Sequence, residues 1–432
     1  MNKTAIRWLT CIGLIYASFT FFAQPADNGE GTSAEPTWHG KTSIAIDKEA
    51  LSAVDEMMSE YVEEGRVAGV VVSVAYRNDV VYTKAVGNRG TEDERPVKED
   101  DLFRIYSMTK PITGVALMQL HEQGKFELDD RLDKYIPELA NLKVHNDEGD
   151  ATTPERPITI RNLLTHTAGF GYVFTGHSVD QLTREAMQAK DLEEFVQKVA
   201  EIPLRYEPGT RWHYSIAVDL QGLLIERLSG KTFDVYLEES IFDPLGMEDT
   251  FFGVPEEKFE RFLPNHNWSR SMNHLIQSGQ GAFDSYRNPT FFSGGGGLVS
   301  TAHDYMTFAR AVANGGELNG VRILKSETVE EMRRNHLDEA IDAEARTGQD
   351  PGAMLGPAAR SFGFGLGFGV NTGESTAQRS KGEYNWGGAA GTVFWIDPVE
   401  DLIVVGMIQR MGGGVPLSRD LHRTVRSALV YE

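Results

Sequence analysis

From residue 112 to 120 the chain is apolar almost all round, and a helix without a polar face has to be buried on every side. Wrapping such a helix takes a large protein, and 432 residues allow a sizeable core spread over two structural units. Pro111 fixes where the helix begins, because a residue without an N–H is tolerated only in the first turn. Ser107 therefore falls at the helix N-terminus, where free amides and the helix dipole favour developing negative charge. Lys110, three residues on, shares its face and reaches the hydroxyl. Burial strips water from an ammonium and disfavours its charged form, which suits a base working near neutrality. Ser107-Met108-Thr109-Lys110 is the only place where a Lys follows a Ser by three. A Ser cap followed by a solvated Lys fits the same four residues.

The two ends of the chain read as sheet and helix. Asp47 caps a helical pattern carried by Leu51, Val54, Met58 and Tyr61 and ended by Gly65. Residues 70–76 and 80–86 are β-rich and joined by Arg77-Asn78-Asp79, a hairpin signal. A second hairpin is expected from 392–396 and 402–408 around a turn over 397–401, and 416–430 reads as a closing helix. Tight turns of this kind favour an antiparallel sheet. Between 111 and 268 helical stretches dominate, at 112–123, 160–164, 192–200, 216–229 and 233–241. The cluster Ser293-Gly294-Gly295-Gly296-Gly297 marks the expected return to the sheet. Residues 363–369 alternate Gly with Phe and Leu and read as one strand packed on a helix, not as a phosphate loop. The expected fold is thus α/β in the α+β sense. An antiparallel sheet built from 45–110 and 295–432 is flanked by N- and C-terminal helices, with a mostly helical domain, 111–294, inserted.

Hydrophobic residues at 41% and charged residues at 24% describe an ordinary globular chain. The net charge of −21, with no run of Lys and Arg to offset it, repels nucleic acid and anionic lipid, so neither is an expected partner. Lys3 and Arg7 precede an apolar run over 8–22, followed by Ala23 and a polar stretch containing Gly and Pro. That is the pattern of a secretory signal peptide, giving an expected leader over 1–23, a tether over 24–44, and export to the periplasm or the medium. The run is short for a membrane span, so no stable insertion is expected after cleavage. Cys11, the single cysteine, lies in the leader, which leaves the mature chain without a disulfide, a thiol nucleophile or a thiolate metal site.

A serine nucleophile needs a second group to pass protons to the leaving group and to water. Tyr214 stands at the entry of the helix expected over 216–229. It is either a packed aromatic with a satisfied hydroxyl or, if its oxygen points at Ser107 beside Lys110, a proton shuttle. Trp386-Gly387-Gly388-Ala389 precedes the strand expected over 392–396. Glycines there mark a bend, or let backbone amides approach a substrate oxygen as an oxyanion hole requires. His166, His177, His266 and His274 lack His-Glu-x-x-His spacing and no carboxylate cluster accompanies them. They read as structural, and no metal is expected.

These elements, in this order, resemble the Ser-x-x-Lys, Tyr-x-Asn and Lys-Thr-Gly motifs of the serine β-lactamase and penicillin-binding-protein superfamily, over about 45–432. More locally, Leu163-Leu164-Thr165-His166-Thr167-Ala168-Gly169, Tyr206-Glu207-Pro208-Gly209-Thr210, residues 294–301 and Gly391-Thr392-Val393-Phe394-Trp395 are similar to the branch of esterases related to class C β-lactamases. That branch also contains acyltransferases and amide hydrolases. The resemblance implies Ser107 as the acylated nucleophile, Lys110 and Tyr214 as the activating and proton-transferring pair, and the backbone amides of Ser107 and Ala389 as the oxyanion hole. It implies no cofactor.

Two departures bear on substrate. Ile216 stands where the Asn of Tyr-x-Asn would be, and Trp386 replaces the Lys of Lys-Thr-Gly, a cation suited to a carboxylate. The residues expected to shape the substrate pocket, Trp386, Gly387, Gly388 and Ile216, are therefore less polar, which favours a small neutral or partly apolar ester. The expected activity is a carboxylesterase working through a Ser107 acyl-enzyme on a small-molecule ester. A β-lactamase or DD-peptidase, an acyltransferase, and a non-catalytic acyl-binding sensor are the alternatives.

Overall fold

The computed structural model describes residues 42–432 apart from 148, 174–175, 280, 339–340, 342–360 and 414. The expected leader with Cys11, and all but the last three residues of the expected tether, lie outside the described residues. The tether ends earlier than the sequence suggested. Ser43 is buried and its N–H donates to Glu400 Oε2 at 2.8 Å, and Ala45–Ile46 pairs with Leu429–Val430.

Seven strands form the main sheet: β1 Gly69–Tyr76, β2 Asp79–Gly87, β3 Phe362–Phe364, β4 Gly369–Asn371, β5 Tyr384–Gly387, β6 Val393–Asp397 and β7 Leu402–Met407. Their order is β3-β4-β5-β6-β7-β1-β2, and every neighbouring pair is antiparallel. Arg77 and Asn78 turn β1 into β2 with φ of 51° and 66°, the left-handed backbone that matches the twist of a tight hairpin. Side chains alternate between two cores. Along β1, Val71 and Ala75 enter the larger one, while Val70, Val72, Val74 and Tyr76 enter the smaller. Ile403 and Val405 of β7 divide from Leu402 and Val404 in the same way. With both faces covered, these strands read as nearly unbroken apolar runs.

Five helices matter for the site: α1 Ser52–Glu63, α2 Thr109–Glu122, α3 Ala217–Ser229, α4 Ala302–Ala313 and α5 Leu417–Arg426. The terminal helices α1 and α5 pack on each other over the smaller core, and α4 crosses β7 and β1 on the opposite face. As its composition requires, α2 is buried at every residue from Thr109 to Leu120 and packs against α3. Side chains such as Leu117 and Ile112, fully shielded, each contribute roughly 1.5–3 kcal/mol by leaving water. This fixes the helix whose first turn carries the site. Among the described residues no helix is long and apolar enough to cross a membrane.

Several elements differ from the sequence reading. Asp47 anchors the turn ahead of α1, accepting from the N–H groups of Glu49 and Ala50, and the helix itself starts at Ser52. The closing helix stops at Arg426, and Leu429–Val430 becomes a strand. Residues 363–369 are two strands, not one, because Gly367 at φ 105° turns the chain between β3 and β4. They do pack on a helix: a Cβ at Gly114 of α2 would meet Leu366 O at 3.1 Å. The glycine cluster does not lead into the sheet, whose next strand begins at Phe362. The chain passes first through Val299–Ser300, paired with Phe103–Arg104, and through α4. The region 111–294 is not purely helical either. A hairpin, His266–Ser269 with His274–Gln277, pairs in parallel with Arg410–Met411 just beyond β7.

Candidate active site

The segment that leads into α2 is wound tightly. Tyr106–Met108 forms a 3₁₀ turn entered by Tyr106 at φ 45°, an uncommon conformation for a non-glycine residue that the fold must hold in place. Asn265 does so on one side, its Nδ2 donating to Tyr106 Oη at 2.9 Å. The turn leaves Ser107 half-buried at the surface of the core while Lys110, next on the same face, is only 2% exposed. Lys110 Nζ donates to Ser107 Oγ at 3.3 Å and to the carbonyl oxygen of Gly295 at 2.6 Å. The solvated-lysine alternative is thereby excluded.

Three aromatic and imidazole groups close over that ammonium. Lys110 Nζ lies 4.4 Å from the ring centre of Tyr214 and 5.5 Å from that of Tyr172, both near enough for cation–π attraction. Burial holds the Tyr172 phenol far above its ordinary range, with Tyr214 and Asp219 adding to the effect, so it stays neutral. His166 packs on Tyr214 with ring centres 4.9 Å apart and bonds to Ser215 through Nδ1. Burial first, then Lys110 and His213, push it far below the usual imidazole value, so it too is uncharged. The Tyr214 hydroxyl accepts from Trp386 Nε1 at 3.4 Å, in place of the expected contact with Ser107. Catalytic hydrogen bonds are commonly looser without substrate, and the ring already stands over the Lys110 head group.

The end of β5 supplies the facing wall. Trp386 packs against Tyr214 and Phe364 at 5.4 and 5.3 Å, making it aromatic. Gly388 N–H donates to Thr392 O at 2.7 Å and Gly391 N–H to Gly388 O at 2.9 Å, closing a turn that presents Ala389 at its tip. Thr392 Oγ1 donates to Ile105 O at 3.3 Å and ties that turn to the segment entering Ser107. Among the described residues neither the Ser107 nor the Ala389 amide has a hydrogen-bond acceptor, which leaves both for an incoming oxygen. Gly387 completes β5, and Ile216 is buried at the start of α3 with its N–H on Gly171 O at 3.2 Å.

One group carries a role the sequence did not reveal. Asp219, in the first turn of α3 and 1% exposed, accepts from Ser293 Oγ at 2.6 Å and from Gly295 N–H at 3.1 Å through Oδ1. That grip turns the Gly295 carbonyl toward Lys110. The approach also needs glycine next door, since a Cβ at Gly294 would sit 2.4 Å from Val218 O. Burial raises the Asp219 carboxyl, against the pull of Ser293, Lys110 and the Gly295 amide. Its position within Tyr214-Ser215-Ile216-Ala217-Val218-Asp219, on the same helix entry as Tyr214, was the available signal.

The remaining histidines lie apart from this cluster. His266 Nδ1 bonds to Gln409 O at 3.0 Å, and His274, on the exposed hairpin, to Met272 O at 3.3 Å. His177 caps the helix Ser178–Ala186 by accepting the Val179 N–H on Nδ1. With His145 and Asp147 it forms a group whose candidate metal-ligand atoms fall within 4.8 Å of one another. His177 Nδ1 accepts a hydrogen bond, and its Nε2 faces Asp147 Oδ1 at 3.7 Å.

Comparison with known proteins places the whole fold in one family. The beta-lactamase family description matches residues 54–428. Esterase EstB of Burkholderia gladioli is 30% identical over 84% of this chain and 92% of its own length. Monacolin J acid methylbutanoyltransferase of Aspergillus terreus is 29% identical over 81% of this chain and 87% of its own. The solved structure of simvastatin synthase LovD from Aspergillus terreus superposes with a TM-score of 0.76 at 26% identity, covering 89% of this chain and 98% of that one.

Proposed function

The chain belongs to the beta-lactamase family, and from that membership we propose that it is a carboxylesterase working through an acyl-enzyme on Ser107. Serine hydrolase activity is common ground with its esterase relative. The observation that carries the proposal is Lys110 Nζ held between Ser107 Oγ and the Gly295 carbonyl with Tyr214 stacked over it. In the reaction Ser107 Oγ attacks the ester carbonyl carbon while its proton passes to the lone pair of Lys110 Nζ in its neutral amine form. The carbonyl oxygen gathers negative charge against the Ser107 and Ala389 amides, each such donor lowering the barrier by about 3 kcal/mol. The C–O bond then breaks, and the departing alcohol takes the proton relayed by way of Tyr214. Water repeats the sequence on the acyl-enzyme, releasing the acid and restoring the Ser107 hydroxyl.

The substrate is a small neutral or partly apolar ester, because the wall of Trp386, Tyr214 and Phe364 offers packing area and no cation for a β-lactam carboxylate. Hydrolysis of p-nitrophenyl butyrate that disappears in Ser107→Ala, with nitrocefin turned over more slowly than the ester, supports this reading. Turnover retained by Ser107→Ala, or nitrocefin preferred, overturns it. Acyl transfer to an alcohol is the second reading, favoured by likeness to a methylbutanoyltransferase. It shares the acyl-enzyme, so a new ester formed when alcohols are added decides between the two. Export is proposed from Lys3, Arg7 and the apolar run after them, and the N-terminal sequence of the mature protein tests it.

A further inference from the structure

In a chain with 63 acidic and 42 basic side chains, a cleft lined by arginines is unexpected on composition alone. Arg66, Arg270 and Arg410 line one of about 400 Å³, together with Trp268 and Glu64. Arg410 is the anchor. It is 5% exposed, and its guanidinium lies 4.2 Å over the Trp268 ring. Its Nη1 donates to the Arg66 carbonyl oxygen at 2.8 Å, while its buried Nε has no hydrogen-bond partner. Among the described residues no carboxylate pairs with it, because the Glu64 carboxylate is engaged by Arg66. Burial and the neighbouring Arg66 pull Arg410 down to about 10, so it remains charged at neutral pH without a counter-ion. A cation in that setting is costly unless an anion joins it.

The cleft also has a defined place. Arg410 follows β7, and its N–H donates to the carbonyl oxygen of Ala390, the residue after Ala389, at 2.9 Å. Arg66 precedes β1, the strand next to β7. The arginines therefore stand at the same end of the sheet as the Gly388–Gly391 turn, with the Arg410 backbone bonded to it and Arg66 two strand spacings away, roughly 10 Å.

We propose that this cleft is an anion-binding site that takes the carboxylate or phosphate group of a small molecule, with Arg410 as its buried fork and Arg66 beside it. Guanidinium geometry suits either oxyanion, since both offer two acceptor oxygens to parallel N–H donors. The site is separate from the aromatic wall at Ser107, and its failure would leave the esterase reading intact.

Titration of the full-length protein with inorganic phosphate and, separately, with succinate at constant ionic strength tests it, read by calorimetry and by the fluorescence of Trp268, with Trp268→Phe as the optical control. At least one anion is expected to bind saturably with a Kd of about 1 mM or lower, weakened about tenfold or more in Arg410→Lys, which keeps the charge and loses the fork. Phosphate alone would identify a phosphorylated ligand, and succinate alone a carboxylate. Arg66→Gln, at a partly exposed position, is expected to weaken binding similarly while hydrolysing a neutral ester at the wild-type rate. It carries the test if Arg410→Lys folds poorly. No saturable binding of either anion up to about 50 mM, or equal binding by Arg66→Gln, would overturn the proposal.

Discussion

A methyl group added at Gly388 tests the oxyanion role proposed for the Gly388–Gly391 turn. The Cβ of Gly388→Ala would fall 2.1 Å from Thr392 Oγ1 and 2.4 Å from the carbonyl oxygen of Ile105. Neither neighbour gives way easily. Thr392 Oγ1 is itself bonded to Ile105 O, and fully buried Ile105 is held by Leu298 O at 3.1 Å. Restoring a normal contact distance moves the turn outward by on the order of 1 Å. Ala389, one residue on, moves with it and carries its N–H away from that of Ser107. Loss of one oxyanion donor costs about 10²–10³ in kcat, or about 2.7–4 kcal/mol. The accompanying strain costs about 1–3 kcal/mol of stability, which a protein of ordinary stability survives. Gly387→Ala is the internal control. Its Cβ would lie 3.2 Å from Thr392 O and 3.8 Å from Val393 Cγ1, contacts that need only small adjustment. In p-nitrophenyl butyrate hydrolysis with melting temperatures taken alongside, Gly388→Ala should lose at least about a hundredfold in kcat, and Gly387→Ala no more than about threefold. Equal losses in the two variants, or near-wild-type kcat in Gly388→Ala, would refute the reasoning.

Asp219→Ala removes the oxygen that accepts from Ser293 Oγ and the Gly295 N–H, and so releases the Gly295 carbonyl to which Lys110 Nζ donates. Lys110 Nζ then loses its fixed place beside Ser107, and kcat on p-nitrophenyl butyrate should fall by about 10², while an unchanged kcat argues against the assignment. Tyr214→Phe removes the hydroxyl proposed to relay protons and should cut kcat by about 10²–10⁴ with little change in KM, measured on the same ester; a loss confined to KM would mark the ring as a packing element only. His166, His177, His266 and His336 all titrate below the usual imidazole value because burial disfavours their cations. Asp304 raises His303, the one opposing histidine among the described residues; at the four lowered sites the unfolded chain binds more protons near pH 6.5, so melting temperature should fall as pH drops from 7.5 to 5.5, and a flat or rising curve contradicts it.

Much of this was legible in the chain because it depends on local pattern. The all-round apolar run after Pro111 specified a buried helix and put Ser107 and Lys110 on its first turn, and the β-rich runs at both ends specified the two hairpins of the sheet. What the sequence concealed depends on contacts between distant segments. The Ser293–Gly297 glycines looked like a bend into a strand, yet they exist so that the Val218 carbonyl can approach and Asp219, more than seventy residues earlier, can bond to Gly295. The positive φ of Gly367 splits an apparent single strand into two. Tyr214 could be placed beside a helix entry, but only tertiary packing stacks it over Lys110 and sends its hydroxyl to Trp386. The hairpin over 266–277 escaped notice because half its residues face solvent and its partner, Arg410–Met411, lies far along the chain.

The central claim is that acyl groups are carried on Ser107. Mass spectrometry of the protein trapped with a slow ester or a phosphonate tests this most directly. The account requires one adduct per chain on the peptide that contains Ser107, absent from Ser107→Ala and formed more slowly in Lys110→Met. An adduct on another residue, or ester turnover with no adduct on Ser107, would contradict it.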